Sequence, residues 1–142
     1  MSTWYMDYEN GNDSESTPYG WWKVAFLNGT GTEPIENELV TGDTSGSTAY
    51  ITYVDTTGGA WGTSDASGTI YFYGKSAAFQ SETVSCAVGA DFDIAADFTY
   101  CAWKTITGGP TAARVAPGDI IKIAKSPDST SIGNGKIGRA HV

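Results

Sequence analysis

Residues 47–74 read STAYITYVDTTGGAWGTSDASGTIYFYG, and this stretch decides the fold class. The side chains at its start alternate: Ala49, Ile51 and Tyr53 take one side, and Tyr50, Thr52 and Val54 take the other. A period of two is the signature of a strand, because successive side chains point to opposite faces of a sheet. We therefore predict a strand through this segment.

The second part of the stretch completes a hairpin. Gly58 and Gly59 supply the positive φ that a hairpin turn needs. The run GTIYFYG at 68–74 is then expected to pair with the first strand. Its two faces carry Ile70 and Phe72 on one side, and Tyr71 and Tyr73 on the other.

A pattern of short strands and turns continues on both sides of the hairpin. Short strands are predicted around Leu39 and Val40, in AAFQSETVSCAV at 77–88 and in ADFDIAADF at 90–98, with turns about every ten residues. Only 17% of the residues are charged, whereas Gly, Ser, Thr and aromatic residues are abundant. This balance favours strands and tight turns over helices. Residues 38–99 are therefore predicted to form a small all-β module.

The charge of the chain limits its partners. The 142 residues carry a formal net charge of -8 at pH 7. Such a surface repels phosphate backbones and anionic lipid, so we expect neither nucleic-acid binding nor a membrane partner, whereas cations and neutral glycans are compatible with it. The start MSTWYMDYENGNDS lacks a basic segment followed by an apolar run, and no apolar stretch approaches the ~20 residues of a membrane helix. We therefore expect a soluble product made in the cytoplasm.

The last residues of the chain have a separate explanation. Residues 137–142, IGRAHV, are the translation of ATC GGA AGA GCA CAC GTC, the start of a common short-read sequencing adapter. We interpret 136–142 as adapter-derived, so the biological chain is expected to stop at about Gly135 and to be the first part of something longer. Without Lys136 and Arg139 the net charge of -8 becomes more negative, and the sole histidine, His141, carries no chemistry.

Cys86 and Cys101 are the only cysteines. In a cytoplasmic product the simplest interpretation is two reduced, buried thiols. A disulfide in an oxidising medium ranks second, and would contribute roughly 3 kcal/mol. Metal binding ranks last, because two distant thiols supply too few ligands.

Three segments resemble the start of right-handed parallel β-helix proteins, the pectate-lyase-like fold. They are TWYMDYENGNDS at 3–14, AWKTI at 102–106 and APGDIIKI at 116–123. In that family a strand and a polar turn are followed by an aromatic-Lys-Thr-Ile segment and by a Pro-Gly-Asp-Thr-Ile turn that opens the first rung. The chain has Ile120 where the family often has Thr, which changes one hydroxyl.

The resemblance implies roles for the residues of the last segment. The structural turn and first rung would be Pro117, Gly118, Asp119, Ile121 and Ile123. Pro fixes φ, Gly permits a sharp reversal and the Asp carboxylate accepts backbone N–H groups at the corner. The two isoleucines would point into the coil with Lys122 outside, and a short Ala-rich helix would cap the open end.

These segments predict a divided architecture. The predicted fold is all-β: the N-terminal cap and first rung of a right-handed parallel β-helix, with an inserted small antiparallel β module. Residues 1–27 would form the first half of the cap, 28–99 the inserted module, and 100–135 the second half of the cap with the first rung. The module also resembles modules that recur in virion proteins of tailed bacteriophages.

Several candidate binding residues have structural explanations beside the functional ones. The calcium-loop candidates are Asp7, Glu9, Asn12, Asp13 and Glu15, whose spacing misses the EF-hand rule and which Asx turns explain equally well. Tyr19, Trp21 and Trp22 could stack on sugars, although adjacent strand residues point opposite ways, so one Trp is expected in the core. We predict no metal and no cofactor.

Catalytic groups are not predicted either. Asp91, Asp93 and Asp97 lie close in sequence, but nothing places two of them across a cleft as glycosidic cleavage requires. The resemblance implies a structural, non-catalytic N-terminal region of a phage virion appendage, tail-spike-like or fibre-like, located in the virion. Its full-length form would be a homo-oligomer, a trimer, with a host-surface glycan as partner. The alternatives are the non-catalytic start of a polysaccharide lyase or hydrolase, and a free-standing carbohydrate-binding module.

Overall fold

The computed structural model describes residues 3–7, 10–12, 18–102 and 118–123. Within them the fold is all-β, as predicted, with a single short 3-10 turn at Trp61–Thr63. The strands are β1 (Thr3–Met6), β2 (Trp22–Thr30), β3 (Leu39–Gly42), β4 (Thr48–Gly58), β5 (Ala66–Tyr73), β6 (Glu82–Cys86), β7 (Asp91–Ile94), β8 (Thr99–Tyr100) and β9 (Ile120–Ile123).

The chain divides into two compact units. One unit comprises 1–21 with 100–142, and the other comprises 22–99. The second unit includes β2, which the sequence analysis had assigned in part to the first half of a cap at 1–27. Pairing explains the difference, because Trp22–Thr30 is hydrogen-bonded to β5 and β7 of the antiparallel sheet.

Six strands of the 22–99 unit close into a ring. Hydrogen bonding runs in the order β5-β4-β3-β6-β7-β2, and β2 then pairs again with β5. Each of these pairings is antiparallel. The sheet is therefore a small barrel, whose ring has no unpaired edge to present to another chain. β8 lies next to β2 in the strand order.

A bend in β2 makes the closure possible. The register shifts between Phe26 and Gly29, so that the first part of β2 follows β5 while Leu27 and Thr30 pair with β7. Asn28 sits at the bend with a φ of 55°, and its side-chain amide donates to the Asp93 carboxylate at 3.0 Å. A bulge of this kind turns a strand sharply, which a ring this small requires.

The barrel interior is filled by apolar side chains from every strand of the ring. Its buried members are Val24, Phe26, Val40, Ala49, Ile51, Trp61, Ala66, Ile70, Phe72, Phe79, Val84, Cys86, Ala90, Phe92, Ile94 and Phe98. Three phenylalanines stack in series, since Phe98 lies 4.2 Å from Phe72 and 4.1 Å from Phe79 between ring centroids. Each fully buried ring of this size contributes about 1.5–3 kcal/mol.

The predicted hairpin is confirmed, with two corrections. β4 and β5 pair antiparallel, and Ile70 and Phe72 lie in the core. A register shift between Ile51 and Tyr53 breaks the predicted alternation, so Tyr53 faces Tyr71 while Val54 lies opposite Ile70. At the turn Gly59 has a positive φ of 61°, but Gly58 does not, because Gly58 still belongs to the ladder opposite Ser67.

In the other unit, β1 and β9 form a two-stranded parallel sheet. Thr3 is opposite Ile120 and Met6 is opposite Ile123. Ile121 and Trp4 are buried against each other, with Met6, Tyr19 and Ile123 partly buried around them. The parallel pair is the extent of parallel structure among the described residues, so a β-helix is not shown.

The residues predicted for the turn and first rung lie at the start of this sheet. Gly118 has a φ of 91°, and Pro117 lies outside the described residues. Asp119 is 5% exposed, and its carboxylate accepts the indole N–H of Trp4 at 2.9 Å, a side-chain partner that the sequence analysis did not foresee. Ile121 is fully buried, whereas Ile123 is only partly so.

Candidate ligand-binding face

The outer surface of the barrel carries two rows of side chains across neighbouring strands. In the first row, Leu39 of β3, Tyr50 of β4 and Tyr73 of β5 are directly opposite one another. The second row contains Tyr53 of β4, Tyr71 of β5 and Lys23 of β2. Tyr50 and Tyr73 alternate with the core residues Ile51 and Phe72 and therefore face outward. The register shift after Ile51 places the exposed Tyr53 opposite Tyr71. We call Tyr50, Tyr53, Tyr71 and Tyr73 the tyrosine face.

Tyr50 and Tyr73 form a stacked pair. Their ring centroids are 5.2 Å apart and their planes differ by 20°. Tyr50 is 39% exposed, so part of its ring is open to a ligand. Gly74 adopts a φ of 67° beneath it, and a Cβ at that position would come within 3.2 Å of Tyr50 Cδ1. The glycine therefore allows the backbone to support the ring from one side.

Asn37 fixes the far end of this pair. Its backbone N–H donates to the Ile51 carbonyl at 2.7 Å, and its φ of 71° turns the connector back onto the sheet. Its Oδ1 accepts the hydroxyl of Tyr73 at 3.1 Å. Because that oxygen is occupied, the exposed amide nitrogen of Asn37 is directed away from the Tyr73 hydroxyl and is a donor for a ligand.

The second row is less accessible. Tyr53 is 48% exposed, but Tyr71 is only 3% exposed, and their centroids lie 6.0 Å apart at an interplanar angle of 45°. A buried and tilted neighbour offers no flat continuation of the surface. The first row is therefore the better platform.

The carboxylates of the barrel are engaged in holding its loops. Glu82 is buried, and its side chain accepts the backbone N–H groups of Thr44, Ser45 and Gln80 at 2.7–3.0 Å. Burial alone would raise the pKa of Glu82, but these donors, joined by the Ser45 hydroxyl, outweigh it and lower the pKa below its usual value. Glu82 is therefore an ionised structural group, which ties the β3–β4 turn to β6.

Glu38 and Asp97 have similar roles. Glu38 accepts the backbone N–H of Ile35 at 3.1 Å and of Val88 at 3.0 Å, and so joins two loops. Asp97 accepts the N–H groups of Phe79 and Phe98 at 2.9 and 2.8 Å. Asp97 also pairs with Lys75 at 3.3 Å.

Asp91 and Asp93, the other two aspartates that lie close to Asp97 in sequence, are on β7. Asp93 accepts the Thr83 hydroxyl at 2.7 Å and the Asn28 amide, and these two side-chain bonds lower its pKa. Asp91 is half-buried at the start of the strand. The arrangement gives Asp93 and Asp97 hydrogen-bonding duties within the fold and does not prepare either as a proton donor.

The segment weighed as a candidate calcium loop is described only in part. Asp7 Oδ1 accepts the Asn10 N–H at 3.1 Å, and Oδ2 accepts the Tyr100 hydroxyl at 2.8 Å. The first contact is a local side-chain-to-backbone bond three residues along the chain, and the second is a tertiary contact. Glu9, Asp13 and Glu15 lie outside the described residues. Across 3–7, 10–12, 18–102 and 118–123, no group of three His, Cys, Asp or Glu side chains could hold a metal.

The tryptophan pair does not supply a ligand platform. Trp21 is 2% exposed, and its ring packs edge-on against Tyr5 and parallel to Tyr100. Trp22 is half-buried, with Lys75 Nζ 4.5 Å from its ring centroid. Tyr19 packs against Trp4 at 5.5 Å. The expectation that one tryptophan of the pair lies in the core is confirmed by Trp21.

Both cysteines are free and buried, as the first-ranked interpretation predicted. Burial, reinforced by the negative charges of Glu38 and Asp91, raises the pKa of Cys86 to about 12. Cys101 Sγ lies 3.1 Å from the Gly20 carbonyl, to which it donates. Cys86 is therefore not prepared for nucleophilic chemistry, which needs a thiolate.

No protein-family model, no curated protein and no solved structure matches the chain. Within the described part of the chain, no helix is long and apolar enough to span a membrane.

Proposed function

We propose that the chain is the structural, non-catalytic N-terminal region of a bacteriophage virion appendage, tail-spike-like or fibre-like, that supports recognition of a host-surface glycan. The observation that carries this proposal is the parallel pairing of β1 with β9. Thr3–Met6 and Ile120–Ile123 belong to two of the segments that resemble the start of a β-helix, and they are adjacent in register. Neighbouring strands in a parallel coil pair in this sense.

In this proposal the β1–β9 sheet is the start of a solenoid. Ile121 is fully buried under Trp4, while Ile123 remains partly exposed. A following rung would cover the remaining apolar surface, because repeat folds bury each rung against the next. The cap and first rung would thus close the end of a coil in a homotrimeric, full-length virion protein.

The barrel is proposed to be a binding module carried on this shaft. Its first and last strands meet, since the Thr99 hydroxyl donates to the Lys23 carbonyl at 3.5 Å. A module with adjacent ends can be inserted into a connection of another fold with little disturbance to it. The structural duties of Glu38, Glu82 and Asp97 support a non-catalytic role.

The test is to recover the complete reading frame and to express its product. We expect an SDS-resistant trimer with an elongated shape, and antibodies against 22–99 should label the tail of intact phage particles in electron microscopy. A monomeric full-length product, or particles that carry no label, would reject the appendage assignment.

A free-standing carbohydrate-binding module is the second candidate, because the exposed Tyr50 ring offers a stacking surface that needs no further domain. The reading frame also distinguishes this candidate. A stop codon close after Gly135 favours the free-standing module, whereas further rungs favour the appendage. An acidic pair on those rungs would indicate a depolymerase.

A further inference from the structure

The first row of the tyrosine face has the dimensions of a sugar-binding platform. Leu39, Tyr50 and Tyr73 occupy opposite positions on three adjacent strands, which spans about 10 Å at the usual strand spacing. The Tyr50 ring is partly open, and the nearly parallel Tyr73 ring stacks against one of its faces, which leaves the other face of Tyr50 for a ligand. Flat aromatic surfaces suit the apolar side of a pyranose ring, where several C–H groups point in the same direction.

The platform is held in place before a ligand arrives. Tyr73 is fixed through its hydroxyl by Asn37, and Tyr50 stacks on Tyr73 with one ring edge next to Gly74. Both tyrosines stand on paired strands of a closed ring. Binding therefore orders few rotamers, which reduces the entropic cost of association.

Asn37 also provides a polar contact beside the rings. Its Oδ1 is committed to Tyr73, and its exposed amide nitrogen is left as a donor at the edge of the platform. Sugar sites combine an apolar stacking surface with a small number of placed polar groups that fix orientation. An amide donor next to a tyrosine pair supplies this combination.

Charge decides which sugars the platform accepts. Residues 22–99 contain two lysines against ten Asp and Glu residues, a net charge of -8 that repels sulfated, sialylated or uronic sugars. Of the two lysines, Lys75 is paired with Asp97 and lies over Trp22, and Lys23 belongs to the second row. Neither of these two lysines stands in the Leu39–Tyr50–Tyr73 row to hold a carboxylate or sulfate.

We propose that Tyr50, Tyr73 and Asn37 form a subsite for a neutral hexopyranose residue of a surface glycan. The sugar stacks its C–H face on Tyr50, and the Asn37 amide donates to one of its hydroxyls. This inference rests on the proposed role in glycan recognition and names the site and the class of sugar.

The experiment measures binding of the full chain to maltohexaose, cellohexaose and mannohexaose by calorimetry, with the hexamer of polygalacturonate as the anionic comparison. We expect at least one neutral oligosaccharide to bind and the anionic one not to bind. Tyr50→Ala should weaken binding about tenfold, and Tyr50→Phe should keep it. Asn37→Gly, which keeps the positive φ, should weaken binding severalfold.

Tyr53→Ala is the matched control, because Tyr53 is similarly exposed on the same strand but belongs to the second row. It should leave affinity unchanged. Unfolding curves for each variant identify any loss that comes from misfolding, and Tyr50→Phe then separates ring from hydroxyl.

The outcomes separate this inference from the proposed function. Binding that survives Tyr50→Ala but fails in Tyr53→Ala overturns the subsite and leaves glycan recognition standing. Preference for the polygalacturonate hexamer overturns the neutral class. If none of the neutral oligosaccharides binds, both the subsite and the glycan-binding role are rejected.

Discussion

The barrel at 22–99 and the β1–β9 sheet show two different ways of burying apolar surface. The barrel encloses a core of buried side chains in a ring without open edges. The β1–β9 sheet buries Trp4 and Ile121 with the help of three partly buried neighbours. A two-stranded sheet is marginal in water unless something else packs on it. The difference teaches that the barrel has an extensive core of its own, whereas the described part of the other unit buries a much smaller cluster.

The largest loss of stability is expected from a cavity in the barrel core. Phe72→Ala removes a fully buried ring that stacks on Phe98 at 4.2 Å. We expect it to lower the free energy of unfolding by about 3–5 kcal/mol, because a cavity remains where the ring was. Urea denaturation checks the value. Val88→Ala, at a 76% exposed site, is the control and should change stability by less than about 0.5 kcal/mol.

Alkaline pH tests the barrel core from a second direction. The pKa of Cys86 is raised from 9.0 to about 12 in the folded state, so its contribution to stability is complete below pH 9. Between pH 9 and 12 the unfolded thiol ionises first, and stability should fall by about 1.4 kcal/mol per pH unit.

Cys86→Ala separates this effect from the titration of other groups. The variant should be less stable at pH 7 because of its cavity, but should lose less stability than the parent chain between pH 9 and 12. Equal slopes in the two chains would show that the thiol is not the cause.

Ile121→Ala tests whether the β1–β9 sheet can be destabilised without affecting the barrel. This residue is fully buried between β1 and its surroundings, and its truncation should cost about 2–3 kcal/mol. Hydrogen exchange should show faster exchange at Trp4 and Tyr5 and unchanged protection in β4 and β5. Loss of protection in the barrel as well would mean that the two units do not unfold separately.

The smallest effect is expected at Glu82. Glu82→Gln keeps an oxygen acceptor but removes the charge that three backbone N–H groups face, which should cost about 1–3 kcal/mol at pH 7. Because the pKa of Glu82 is lowered on folding, its contribution is present above its unfolded value of 4.5 and is lost as pH falls below that. The variant and the parent chain should therefore converge in acid, and Glu36→Gln, at an exposed site, should match the parent chain throughout.

Local sequence patterns predict individual strands of the barrel, but they do not predict that these strands close into a ring. Alternation predicted the β4–β5 hairpin and its buried Ile70 and Phe72, because both depend on neighbours in sequence. The pairing of Leu27 with Asp93 could not be foreseen, since it joins strands far apart in the chain through a bend at Asn28. No pattern among neighbouring residues indicates such a long-range pairing.

The candidate site was missed for a related reason. The sequence pattern places Tyr71 and Tyr73 together on one side of β5, yet the adjacent tryptophans are the more conspicuous aromatic pair. What selects Tyr50 and Tyr73 is the approach of Asn37 from the β2–β3 connector, which the sequence presents only as a polar loop. Trp21 is buried by packing, and the ring of Trp22 is in contact with Lys75.

The hydrogen bond between Thr99 and Lys23 holds the two ends of the barrel segment together, which affects the segments on either side of it. These residues are 76 positions apart and are joined by a hydrogen bond, so the folded barrel acts as a staple across a long excursion of the backbone. Bringing together the ends of a flexible loop of that length costs about 4 kcal/mol of entropy by its logarithmic dependence on length. Once the barrel has folded, the flanking segments are tethered as though by a short linker. We therefore expect β9 to pair with β1 only after the barrel has folded.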